Sequence, residues 1–167
     1  MLLRVLALLA LMVTSSACGW LLDAEADQTV GAMGMTSDLM TVLTLVNEAR
    51  ASERLCGDVA YQAVPPLSLD DRLVAAAQAH SLDMDRNGFM AHTGSDGSTL
   101  AERVEREGYA WRRLGENVAR GFDDPAVVMA AWLDSPGHCI NLMQPDVSDI
   151  GLGRAGSSWT QVFAAPR

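Results

Sequence analysis

The side chains best suited to chemistry are two imidazoles and one carboxylate: His138, His92 and Glu116. His138 stands in Asp134-Ser135-Pro136-Gly137-His138-Cys139-Ile140-Asn141-Leu142-Met143. There Pro136 and Gly137 read as the stop of a helix over 124–133, with another helical turn just beyond. A metal-capable imidazole and a thiol able to form a bridge thus sit side by side where the chain changes direction. Backbone at such a place can aim a ring at a cleft; a surface histidine on an ordinary turn is the plainer alternative. His92 follows Phe89-Met90-Ala91 on a stretch dense in Gly, Ser and Asp, which reads as a loop. Glu116 lies in Leu114-Gly115-Glu116-Asn117-Val118-Ala119, a short strand whose apolar neighbours predict a half-buried carboxylate. No His-Glu-x-x-His helix and no Gly-x-Ser-x-Gly elbow is present. Ser95, Ser98 and Ser135 have no spacing that favours any of them as a nucleophile.

The chain that must position these groups begins with a leader. Arg4 precedes a short apolar run, Val5 to Val13, too short to span a bilayer. Ser15-Ser16-Ala17-Cys18 then resembles a lipobox, in which Cys18 is acylated and becomes the first mature residue. Ser15 and Ala17 also suit ordinary signal-peptidase cleavage, so plain secretion is the alternative. Either route predicts export. Residues 18–36 read as a tether, and 37–167 as a single domain with room for one core.

Composition narrows the partners. Residues 1–17 hold one basic residue and no acidic one, so the mature chain keeps 11 basic against 21 acidic side chains, a net charge of −10. Nucleic acid and anionic headgroups both favour basic patches, so neither is an expected partner of the domain surface. Membrane association is expected through the Cys18 anchor. If Cys18 carries lipid, Cys56 and Cys139 remain as an even set in an oxidising compartment, and a Cys56–Cys139 bridge is the natural pairing. Two buried free thiols are the alternative.

Periodicity places the elements. A first helix is predicted from Ser37 to about Leu55, with Gly57 as its stop. A second opens with Ser68 as N-cap and Asp71 in the capping-box position, and buries Leu69, Leu73, Ala76, Ala77, His80 and Met84. His80 on that stripe reads as a satisfied core histidine. Thr99 and Glu102 cap a short third helix that ends at Gly108; its Glu102, Arg103, Glu105, Arg106 and Glu107 read as a solvated face. A fourth helix has Asp124 as N-cap and Pro125 at its first position, with Val127, Val128, Ala131 and Trp132 inward. Strands over 149–154 and 159–163 flank Ala155-Gly156-Ser157-Ser158, a hairpin signal. Trp111, Trp132 and Trp159 read as packing residues. Together the elements predict helices enclosing a small antiparallel sheet, an α/β (α+β) sandwich.

Phe89-Met90-Ala91-His92-Thr93, Gly115-Glu116-Asn117-Val118-Ala119, 135–143, Ile150-Gly151-Leu152-Gly153 and Trp159-Thr160-Gln161-Val162-Phe163, in this order, resemble the CAP superfamily. This is the group of cysteine-rich secretory, antigen 5 and pathogenesis-related 1 proteins, and the bacterial short-domain members are the nearest in kind. The resemblance covers about 36–163 and implies a three-layer α-β-α sandwich. It also implies a cleft lined by His92, Glu116 and His138, with zinc or another divalent ion held by His92 and His138 in some members. The family's further acidic position has no Glu here, and Asp134 is the nearest substitute. Glu116 would then orient or deprotonate metal-bound water as a candidate base. A His/Glu cluster that only organises the cleft is the plainer reading. Three functions follow: a binder of a small apolar, sterol-like or envelope-derived ligand, a metal-assisted hydrolase of peptide or cell-wall material, or a non-catalytic envelope interaction protein. Binding is favoured, because it requires only a cleft. Whether the protein is an enzyme stays open at this point.

Overall fold

The computed structural model describes residues 37–167. The leader, Cys18 and the tether therefore lie outside the described residues. In chain order the elements are helix α1 (37–50), strands β1 (Arg54–Cys56), β2 (Val59–Tyr61) and β3 (Ser68–Leu69), helices α2 (Asp71–Asn87) and α3 (Leu100–Arg106), strand β4 (Trp111–Arg120), helices α4 (Pro125–Asp134) and α5 (Pro136–Leu142), and strands β5 (Asp149–Ala155) and β6 (Ser158–Pro166). The main sheet runs β3-β5-β6-β4, so β4 is an edge strand; β1 and β2 form a separate antiparallel pair. The sheet is antiparallel except at β3, which pairs parallel with the start of β5.

Side chains alternate across a strand, and here each face of the sheet has its own core. On one face Ile150, Leu152, Trp159 and Phe163 pack with Val42, Val46 and Ala49 of α1, Val128 and Trp132 of α4 and Leu142 of α5. On the other, Val162 and Ala164 pack with Leu73, Ala76 and Ala77 of α2 and Val104 of α3. Two helical layers thus enclose the sheet, in the α-β-α order that the sequence implied. Trp132 and Trp159 are buried core residues.

Several boundaries differ from the sequence reading. The first helix ends at Arg50, not near Leu55. Its last residue turns its guanidinium inward, bonding the carbonyls of Pro65 (2.8 Å) and Leu142 (2.7 Å). The next residues form the β1–β2 hairpin, and Gly57 is its left-handed turn residue (φ 61°) rather than a helix stop. Ser68 is not a cap: its backbone joins the sheet opposite Asp149. Asp70 caps α2 instead, accepting from the amides of Arg72 and Leu73. Leu69 and Val127, expected inward, are exposed. Pro136 starts a helix instead of stopping one, because a missing amide costs nothing at a first helical position. His138 therefore sits in the first turn of α5. The capping box of α3 (Thr99 with Glu102) and the Asp124 cap of α4 stand where the sequence put them.

Two glycines on β5 set how closely α2 lies on the sheet. A Cβ at Gly151 would stand 2.1 Å from the carbonyl of Leu73, and one at Gly153 would stand 2.4 Å from the carbonyl carbon of Ala77. Backbone cannot yield at those distances without moving the helix. Gly137 in α5, by contrast, has open space where its Cβ would be. We expect Gly151→Ala to lower unfolding free energy by about 3 kcal/mol, the scale of core overpacking. Gly137→Ala should raise it by about 0.5–1 kcal/mol through reduced freedom of the unfolded chain. Urea titration of both variants checks this, and equal effects of the two would contradict the close approach.

Candidate functional site

The site is built across the edge strand β4. Glu116 and Asn117 are neighbours, so they point to opposite faces of the sheet. Glu116 reaches toward the α3 side, and its Oε1 accepts from Nδ1 of His92 at 2.8 Å. A carboxylate only accepts, so the proton sits on Nδ1 and leaves Nε2 of the neutral ring as a free acceptor. The Glu116 side chain is 3% exposed and that of His92 is 63% exposed. A buried carboxylate thus holds an open imidazole.

The partner that lets the carboxylate be buried is Arg103. Its Nη2 donates to Oε2 of Glu116 at 2.6 Å, and its Nη1 donates to the carbonyls of His92 and Ser98, each at 3.0 Å. Arg103 was expected on the solvated face of α3; it is buried instead. One guanidinium therefore fixes His92 twice, at its backbone and, through Glu116, at its ring. Both oxygens of Glu116 are engaged and the side chain is 3% exposed, so water has little access to the carboxylate. Sequence gave no signal for Arg103, since charges three apart on a short helix look alike whichever one turns inward.

Asn117 does for the other face what Glu116 does for the first. Its Nδ2 donates to the carbonyl of His138 (3.1 Å) and to Oε1 of Gln161 (3.0 Å). Asn141 on α5 returns the contact, donating to Oδ1 of Asn117 and to the carbonyl of Glu116, both at 3.0 Å. A Cβ at Gly115 would stand 3.4 Å from Oδ1 of Asn141, an ordinary contact, so β4 and α5 lie against each other here. The disulfide Cys56–Cys139 (Cα–Cα 5.4 Å) ties the same turn of α5 to the β1–β2 hairpin. Cys139 is therefore spent as a bridge, and among the described residues no free thiol stands beside His138.

The electrostatics favour a neutral His138 ring. Burial pushes the His138 pKa down from its ordinary value, and the nearby His92 pushes it the same way. Asp134, the last residue of α4, is exposed; the charged group packed against Glu116 is Arg103. His80 is buried as expected but only half satisfied. Its Nε2 donates to the carbonyl of Ala91 at 2.9 Å, while Nδ1 has no partner. Burial lowers its pKa as well.

A resident zinc does not fit this arrangement. Structural zinc sites use four protein ligands and catalytic ones three. Among the described residues no three His, Cys, Asp or Glu side chains gather around a common point, and Glu116 is turned to the Nδ1 of His92. What the cluster can do is hold His92 rigid, with its other ring nitrogen on the exposed side.

Comparison with known proteins agrees with this architecture. The model of the CAP family, the cysteine-rich secretory protein family, matches residues 43–164. YkwD of Bacillus subtilis is 34% identical over 104 residues, 61% of this chain and 40% of the relative. The membrane protein YlbC of the same organism is 30% identical over 97 residues, 58% of this chain and 28% of the relative. The chain thus spans less than half the length of these relatives. Among solved structures, an extracellular protein of Bacillus anthracis that contains an SCP domain superposes with a TM-score of 0.68 at 26% identity, over 78% of this chain and 41% of that one. An outer surface protein of Borrelia burgdorferi superposes with a TM-score of 0.65 at 22% identity, over 78% of this chain and 94% of that one, a likeness of fold.

The buried pair can be tested by a double-mutant cycle. Removing one partner leaves an uncompensated buried charge, so Arg103→Met and Glu116→Gln should each cost about 3–5 kcal/mol of stability. The double variant should cost well under the sum of the two. Additive losses, measured by urea unfolding, would show that the two groups do not interact.

Proposed function

Because the chain belongs to the cysteine-rich secretory protein family, we propose that it is an exported, lipid-anchored domain whose cleft, walled by His92 and His138, binds a small apolar or envelope-derived ligand. The observation that carries this reading is the engagement of both Glu116 oxygens. A carboxylate so held, and 3% exposed, orients its partner and has little contact with water, which suits a rigid receptor better than an acid/base machine. The neutral state favoured for His138 suits an apolar occupant for the same reason. An ion shared by His92 and His138 alone would be loosely held and exchangeable, and the binding reading does not require one.

Export is supported by the disulfide, which persists in oxidising compartments. It is also in keeping with the extracellular and outer-surface relatives. No helix among the described residues is long and apolar enough to cross a membrane; the attachment proposed here is through lipid on Cys18. Changing Cys18→Ser in the full chain should move the protein from the membrane fraction to the soluble one. Unchanged fractionation would remove the lipid anchor.

The ligand is tested by recovery. The full chain, expressed with its leader and purified, should carry a small molecule that mass spectrometry detects after solvent extraction. His92→Ala combined with His138→Ala should reduce its recovery at least about tenfold, a loss of roughly 1.4 kcal/mol. Equal recovery from both proteins would end the cleft-binding reading.

A second reading rests on the His92–Glu116 pair. A histidine whose Nδ1 is held by a carboxylate and whose Nε2 is open has the form of a general base. Peptide or cell-wall hydrolysis that falls about 10²–10⁴-fold in His92→Gln would favour that reading. Neither ligand nor turnover would favour an envelope interaction protein with an idle cleft.

A further inference from the structure

The chain over 51–63 is a loop closed at its base and held at its tip. Arg50 and its neighbours make the base. The Arg50 carbonyl accepts from the amide of Val64 at 2.8 Å, and the Arg50 Nε donates to the carbonyl of Pro65 at 2.8 Å. The chain on either side is therefore fixed without help from the loop between. That loop carries the β1–β2 hairpin, a two-stranded ribbon outside the main sheet, and such ribbons are marginal alone in water.

What holds the tip is Cys56. It is the one buried residue of the two strands, whereas Leu55 and Val59 are 69% and 46% exposed. Among the described residues no backbone hydrogen bond runs from 54–61 to another element. Cys56 packs with Cys139 and Met143 in a small cluster of its own, apart from the cores on the two faces of the sheet. Gly57 rests on the first residue of α5, since a Cβ there would stand 3.1 Å from the Cβ of Pro136. The hairpin and the first turn of α5 thus pack as one unit, joined by the bridge.

The two ends of α5 are held differently. At its far end Leu142 belongs to the main core, Arg50 bonds its carbonyl, and Asn141 bonds β4. The first turn begins with exposed Pro136 and Gly137 and has no side-chain cap. Besides the bridge, its tie is the bond from Asn117 to the carbonyl of His138.

We propose that the Cys56–Cys139 bridge is a redox-sensitive clamp: its reduction frees the loop over 51–63 and the first turn of α5, with His138, while the sheet and the His92–Glu116–Arg103 set stay folded. The reductant is a dithiol. Its thiolate attacks the sulfur of Cys56, which adjoins the exposed turn Gly57-Asp58, and Cys139 leaves as a thiolate and takes up a proton. The second thiol of the reductant then displaces Cys56. One S–S bond is lost, two thiols form in the protein, and the reductant departs as a disulfide. Opening of the ribbon gives access, because an exposed element with few buried contacts opens at far less cost than the whole domain. The clamp stands whether or not the cleft takes a ligand, since it is read from the backbone.

Hydrogen exchange of the full mature protein under native conditions, with and without dithiothreitol, tests this; thiol alkylation reports when reduction is complete. Exchange over 54–61 and at the Cys139 amide, which bonds the carbonyl of Ser135, should rise at least about 30-fold, the scale of a lost disulfide. Exchange in β4 and β6 should change less than about threefold. The His138 ring resonances should shift and those of His92 should not. Cys56→Ala combined with Cys139→Ala should show the reduced pattern without reductant and no response to it. A bridge that dithiothreitol reduces only in denaturant, hairpin exchange unchanged after complete reduction, or equal rises in the hairpin and in β4 and β6 would each overturn the proposal.

Discussion

The structure turns on a buried ion pair. Arg103 and Glu116 are joined at 2.6 Å with side chains 7% and 3% exposed, in surroundings where neither charge would be tolerated alone. A pair of apolar residues of similar volume could be as stable there, so packing alone does not account for the charges. What they provide is position: the guanidinium also bonds the carbonyls of His92 and Ser98, and the carboxylate also bonds the His92 ring. The loop over 92–99 has little apolar side chain of its own to bury. It is held in place because its backbone completes the coordination of a buried cation.

The second constraint is the alternation of β4. Consecutive residues of one edge strand serve opposite faces, so Glu116 governs His92 from one helical layer and Asn117 governs His138 from the other. An insertion of one residue in this strand would exchange the two faces and separate both histidines from their holders. The Glu-Asn pair is thus a geometric unit: Glu116 holds a ring, and Asn117 holds a backbone carbonyl. Its one neighbour, β6, keeps the strand in register by nine residue pairs, and Gly151 and Gly153 of β5 let α2 approach from the α3 side.

How much of this was legible in the sequence depends on the range of the interaction. The caps at Thr99 and Asp124, the buried stripe of α2 and the β5–β6 hairpin are local, set by residues within a few positions of each other, and they were read correctly. The Cys56–Cys139 pairing was legible because so few alternatives existed. Arg103 was misread because its partner lies 13 residues away on another element; nothing in the run Glu102 to Glu107 distinguishes the charge that turns inward. Leu55 was misread for a related reason. A three-residue strand has too few positions to show alternation, and the hairpin is closed by a glycine that equally resembles a helix stop. Pro136 shows a different ambiguity, since proline after a helix and proline at the start of the next are the same letter.

His138 then depends on a helix that could not stand alone. Seven residues are too few for an isolated helix in water, and Ser135 gives α5 no side-chain cap. Its place is set by tertiary ties distributed along its length. Near the start Asn117 bonds the carbonyl of His138, and Cys139 is bridged to Cys56 across 83 residues, a closure worth about 4–5 kcal/mol on the chain-entropy account. At the end Arg50 bonds the carbonyls of Leu142 and Gln144, filling the role of a C-cap with a cation from α1. Burial lowers the pKa of that guanidinium only to about 10, so it stays charged at neutral pH and the cap persists. One imidazole is therefore fixed by a buried cation acting through a carboxylate, and the other by a covalent bridge and a buried cation acting through a helix end. Both histidines are anchored to the interior, and preorganisation of this kind spares any bound ligand the cost of ordering its receptor.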